Sequence, residues 1–75
     1  MNIKAEPERV PVEGDPNRTR VKSVTLSWEG REKTYIRGPD GRPHCTASFG
    51  VANGEVPRNV LVAMIAQAAA IFKGN

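Results

Sequence analysis

Val24, Leu26 and Trp28 alternate with Ser23, Thr25 and Ser27. A period of two on a β-favouring composition predicts a strand with one buried face. Glu29-Gly30 supplies a turn, because glycine tolerates positive φ. The segment REKTYIR, residues 31–37, then reads as a partner strand. Its alternation puts Thr34 and Ile36 on one face and Lys33, Tyr35 and Arg37 on the other. GPDGRP, residues 38–43, is the strongest turn signal in the chain: Pro39 presets φ and Asp40-Gly41 completes the reversal. Cys45, Ala47, Phe49 and Val51 next alternate with His44, Thr46, Ser48 and Gly50, which predicts a third strand closed by Asn53-Gly54.

The pattern then changes period. Pro57 suits the first position of a helix, Lys73 the negative end of its dipole, and Gly74 its stop. From Val60 to Phe72 only Gln67 is polar. At roughly 100° per residue, Val60, Leu61, Met64, Ile65, Ala68, Ile71 and Phe72 fall in an arc about 140° wide. This bulky arc is expected to pack on Val24, Leu26, Trp28, Phe49 and Val51. The opposite arc holds Asn59, Val62, Ala63, Ala66, Gln67, Ala69, Ala70 and Lys73, a face made of alanine rather than charge, with Val62, Ala63, Ala66, Ala69 and Ala70 as its smooth stripe. Two readings stand for it. Alanine is the best helix former and costs nothing in water. A small-residue face also admits close approach of another helix, from a second copy across a twofold axis or from a foreign partner.

Residues 1–19 carry Pro7, Pro11 and Pro16 among charges and few large apolar groups. Such a stretch has little to offset its ordering entropy, so it is expected as a flexible proline-rich arm. Val10 to Val12, VPV, is the one segment in it that fits a sheet edge. Residues 20–75 are expected as a single small α+β domain. Its predicted build is a three-stranded antiparallel meander packed by one C-terminal helix, βββα.

Composition narrows the chemistry. Seventy-five residues make one domain at most. Cys45 is the lone cysteine, so no intrachain disulfide forms and no zinc-ligand spacing exists. Adjacent strand residues point to opposite faces, so His44 and Cys45 should not meet. Cys45 is expected as buried packing, since it shares the apolar parity of Phe49. The carboxylates are scattered, and GPDGRP lacks the lysine and following helix of a phosphate loop. Neither catalysis nor a cofactor is expected. The N-terminus has no apolar signal core. The helix's apolar run of about 13 residues falls short of the about 20 that span a bilayer. A cytoplasmic, soluble protein is the expectation.

The net charge of +3 is concentrated between residues 18 and 42. Arg18, Arg20 and Lys22 lead into the first strand; Arg31, Lys33, Tyr35 and Arg37 line the second. Cations with an aromatic among them can neutralise phosphates and stack a base. They can also anchor on an acidic protein surface. The plain alternative is a solvated sheet face.

GPDGRPHCTASFGV followed by an alanine-rich helix is loosely similar to the later half of a double-stranded-RNA-binding domain, over about 35 residues. The family's first helix has no counterpart here, and Pro57-Arg58-Asn59 stands where its lysine cluster begins the last helix. The phosphate contacts are therefore not carried over. In size and build alone, the chain also resembles compact phage-encoded inhibitors, anti-CRISPR proteins among them, with no shared motif. The expected function is a non-enzymatic interaction module that binds and occludes a partner macromolecule. The alternative is a nucleic-acid-binding domain that uses the basic hairpin.

Overall fold

The computed structural model describes residues 2–49 and 55–74. Four strands, β1 (Lys4–Val12), β2 (Asp15–Trp28), β3 (Arg31–Arg37) and β4 (Pro43–Phe49), precede one helix, α1 (Arg58–Lys73). The strands form a single antiparallel sheet in the order β1-β2-β3-β4. The fold is thus the expected α+β meander under a C-terminal helix, with four strands in place of three. The additional strand comes from the stretch read as an arm. Lys4 to Val12 pairs antiparallel with β2, from Lys4 opposite Ser27 to Val12 opposite Asp15.

The turns follow their residues. Glu29 and Gly30 adopt φ of 45° and 79°, the pair of positive angles of a type I′ hairpin loop. Glu13-Gly14 repeats the same dipeptide between β1 and β2, with Gly14 at φ 83°. In the loop from Gly38 to Arg42, Gly41 takes φ 80°, and the Gly41 amide donates to the Gly38 carbonyl at 2.9 Å. A Cβ on Gly38 would run into the His44 ring.

Besides a register shift between Pro11 and Val12, which leaves Pro16, Asn17 and Arg18 without partners on β1, two β-bulges reset the side-chain parity of the sheet. One lies between Glu8 and Arg9, opposite Lys22. It allows Val21 to face the helix together with Val24 and Leu26, although their numbers differ in parity. The other lies between Thr34 and Tyr35, opposite Thr46. It puts Cys45 beside Tyr35 on the helix side and Ala47 beside Thr34 on the outer side.

The core is one cluster: Val21, Val24, Leu26 and Tyr35 from the sheet, and Val60, Met64, Ala68 and Phe72 from the helix. The helical members recur every four residues and form one stripe. The helix packs chiefly on β2 and also reaches β4 and β1. Ile3, Ala5, Trp28, Val56 and Ile71 close the rim of the cluster. Val51, the side chain of Phe49 and the Asn53-Gly54 turn lie outside the described residues. Pro57 occupies the N-cap, and its carbonyl accepts from the Leu61 amide at 2.9 Å. At the other end Gly74 donates back to the Ala70 carbonyl at 3.0 Å, with Lys73 in the last turn. Among the described residues no helix is long and apolar enough to cross a membrane.

β2 runs for 14 residues but meets β3 only from Ser23 to Trp28. Among the described residues its first half, Asp15 to Lys22, pairs with β1 alone, at Asp15 and from Thr19 to Val21. Those residues and Arg9 to Val12 leave the four-stranded body as a two-stranded ribbon. At about 3.3 Å per residue β2 spans roughly 45 Å. That accounts for the molecule's long axis of 42 Å against 20 Å in the other two directions.

Candidate functional site

The basic residues of β3 stand on the helix side of the sheet and are occupied by the protein itself. Tyr35 is paired with Val24 and is 2% exposed, inside the core. Its ring is therefore not on the surface, where stacking a base would need it. The bulge at Thr46 and the placement of the helix over this face are what the strand pattern alone did not reveal. Lys33 donates to the Ser48 hydroxyl at 3.0 Å. The Arg31 guanidinium lies over the Trp28 ring at 5.3 Å and donates to the Glu29 carbonyl at 3.2 Å. Arg37 lies over the Phe72 ring at 5.5 Å and donates to the Phe72 carbonyl. That carbonyl is among the last of the helix, so the cation sits at the negative end of the dipole. Arg31, Lys33, Tyr35 and Arg37 do not converge into one ligand-facing patch.

The hydroxyl of Tyr35 is buried without a hydrogen-bond partner among the described residues. Desolvation, and secondarily the neighbouring Cys45, raise its pKa. An unfolded chain would ionise this phenol near pH 10, before the folded one does. Stability is therefore full below pH 10 and falls as pH rises above it. Tyr35→Phe is expected to leave the melting temperature at pH 7 unchanged or raise it, because an unpaired buried polar group is removed. It should also flatten the alkaline decline. A melting temperature several degrees lower at pH 7 would mean that the hydroxyl has a partner.

Cys45 is exposed, not buried as its parity suggested. It lies on the edge strand, with its thiol 3.4 Å from the Ala47 carbonyl and 3.5 Å from the Ser48 hydroxyl. His44 is across the loop from Asp40, Nε2 to Oδ1 at 3.1 Å. The Arg42 amide first, and then His44, hold the Asp40 carboxyl below its usual range. The outer face of the sheet is lined by hydroxyls. Thr25 and Thr34 are 3.0 Å apart, and Ser23 donates to Glu8 at 3.2 Å. Among the described residues there is no pocket, and no group of three His, Cys, Asp or Glu side chains that could hold a metal.

Two further surfaces are exposed. The first is the ribbon, where Arg18, Arg20 and Lys22 are all exposed. The second is the outward face of α1. Val62 is 57% exposed and Ile65 38%; Ala66 and Ala70 are exposed, while Ala63 and Ala69 are half-buried. Between Asn59 and Lys73 no charged side chain interrupts this face. No protein-family model, curated protein or solved structure matches the chain, so its function is read from these surfaces alone.

Proposed function

We propose that the protein is a non-enzymatic module that binds and occludes a partner protein through the outward face of α1. The observation that carries this reading is the exposure of Val62 and Ile65 beside a run of alanines with no charge among them. A contiguous apolar patch on so small a domain commonly marks an interaction site. Its ends carry Arg58 and Lys73. Pairing with a second copy would bring these cations together, Arg58 near Lys73 if antiparallel and each near its own counterpart if parallel. Charge therefore favours a foreign partner that offers an apolar groove rimmed by carboxylates. Occlusion by this surface is the mode of action proposed, as in the compact phage-encoded inhibitors that the chain resembles in build.

Ala66→Glu tests the reading. The isolated variant should keep its melting curve, with less than about 0.5 kcal/mol of change, since Ala66 is exposed. A protein retained by the wild type from nuclease-treated lysate should be lost, because the interface would bury an unpaired charge. Retention of the same partner by Ala66→Glu would overturn the proposal. A wild-type dimer by light scattering that Ala66→Glu dissolves would reassign the face to a second copy.

A further inference from the structure

The net charge of the protein is segregated along its length. Arg9, Arg18, Arg20 and Lys22 are on the ribbon. Arg37 is beyond Ile36, which pairs with Ser23, so it stands where the ribbon leaves the body. Arg42 closes the adjoining loop, and Lys73 follows Phe72, which Arg37 holds at the same end. Against these seven cations stand Glu8, Glu13, Asp15 and Asp40. The rest of the molecule carries four cations and four anions, so the whole excess of +3 lies at the ribbon end.

Within the ribbon the cations face both ways. Arg9 pairs with Val21 and so shares the helix side, where its guanidinium donates to the Thr19 hydroxyl at 3.4 Å. Arg20 pairs with Val10 on the opposite side. Lys22 projects from the bulge and is exposed. Residues 9–22 include no aromatic, and their largest apolar side chains are valines. A protein interface would want an aromatic or large aliphatic anchor there. A single strand would want rings on which to stack its bases. Cations on both faces of a narrow ribbon instead match two rows of phosphates with a gap between them.

We propose that the ribbon binds double-stranded DNA by entering the major groove, its two faces turned to the two phosphate rows and the cations at its root touching the backbone beside it. The major groove of B-form DNA, about 12 Å wide, admits a two-stranded ribbon. The major groove of duplex RNA is too narrow for side chains to read. The contact is to phosphates, so it confers affinity without sequence preference. It is independent of the helix-face reading above, and the two surfaces fail separately.

The test is fluorescence anisotropy with a labelled mixed-sequence DNA duplex of about two turns, from 50 to 200 mM salt. The same-sequence duplex RNA, the single strand and polyglutamate serve as competitors. Four to five phosphate contacts predict a slope of log K on log salt of about −4. Arg18→Glu with Arg20→Glu should weaken binding at least tenfold at low salt and shrink the slope by about 2. Glu13→Gln, at the tip, should strengthen binding about twofold to threefold by removing a like charge from the groove. That gain cannot come from a damaged fold. Absence of duplex binding at 50 mM salt would overturn the proposal, as would wild-type affinity in the double variant. Equal or tighter competition by duplex RNA or single strand would overturn the groove placement. Equal competition by polyglutamate would turn the ribbon into a site for acidic proteins.

Discussion

Deleting residues 1–12 is expected to abolish cooperative folding. The deletion removes β1, which among the described residues is the only strand partner of the first half of β2 and one of its two from Ser23 to Ser27. Val21, Val24 and Leu26, three of the four core residues that the sheet contributes, all lie on β2. Without β1 they would sit on an edge, and Ile3 and Ala5 would no longer close the core beside them. A chain of 75 residues has a net stability of about 4–11 kcal/mol. The loss of an entire strand with its ladder is of that order. The expected result is a broad, non-cooperative thermal transition by far-UV circular dichroism, with dye binding that reports exposed apolar surface. A sharp transition within a few degrees of the full-length protein would show that the first twelve residues form a dispensable arm and that their pairing adds nothing.

That outcome depends on the part of the fold least legible in the sequence. Pro7 and Pro11 argue against a strand when the chain is read alone, since each removes a backbone donor. Both are tolerated because β1 is an edge strand, where a missing donor interrupts no further ladder. A signal was present in Glu13-Gly14, the same dipeptide that marks the turn at Glu29-Gly30. With it, VPV becomes a strand reversing into the residues before Val21. Elsewhere the local chemistry agreed with the fold. Val24 and Leu26 face the core, the loop to Arg42 turns at Gly41, and Pro57 and Gly74 bound the helix.

The candidate site was less legible, for a specific reason. Strand parity is a count of residues, and a bulge adds one without changing the composition. The extra residues at Lys22 and Thr46 shift the phase on two of the four strands. Lys22, which by number shares a side with Val24, is exposed in the bulge. Cys45 and Ala47, alike by number, are on opposite faces. Tyr35 fails differently. Its grouping with Lys33 and Arg37 on one face was correct, but that face is the one the helix covers. Alternation says which residues stand together and leaves open which side is buried when both sides mix apolar and polar groups. On α1 the buried stripe of Val60, Met64, Ala68 and Phe72 lies within the bulky arc, and Ala66 and Ala70 opposite it are exposed; Ile65, expected to pack with that arc, stands at its edge and is exposed instead.

Phe72→Ala is expected to cost about 3–5 kcal/mol, the usual loss for a buried phenylalanine. Phe72 is 1% exposed and is among the largest side chains fully enclosed by the fold. Its removal would leave a void at the end of the helix, next to the root of the ribbon. Part of the loss should come from Arg37, which rests on the ring at 5.5 Å. The bond from Arg37 to the Phe72 carbonyl is a main-chain contact and survives any substitution of the side chain. A double-mutant cycle can therefore separate the two roles. Arg37→Ala alone should cost about 1–2 kcal/mol, from a charged hydrogen bond and the helix dipole. Phe72→Leu, which keeps more volume than alanine and gives the variant a better prospect of folding, supplies the second arm. The coupling between Arg37→Ala and Phe72→Leu should be about 0.5–1 kcal/mol, the range of an exposed cation–π pair. Both arms are measured by urea unfolding, with a constant m-value as the check that the folded states compare. A coupling below about 0.3 kcal/mol would be simple additivity, which would leave Arg37 a helix cap and nothing more. A loss below about 1 kcal/mol for Phe72→Ala would mean that the end of the helix is not docked on the sheet. Arg37 and Lys73 would then be free to move away from the ribbon root, and the concentration of positive charge at that end would lose its anchor.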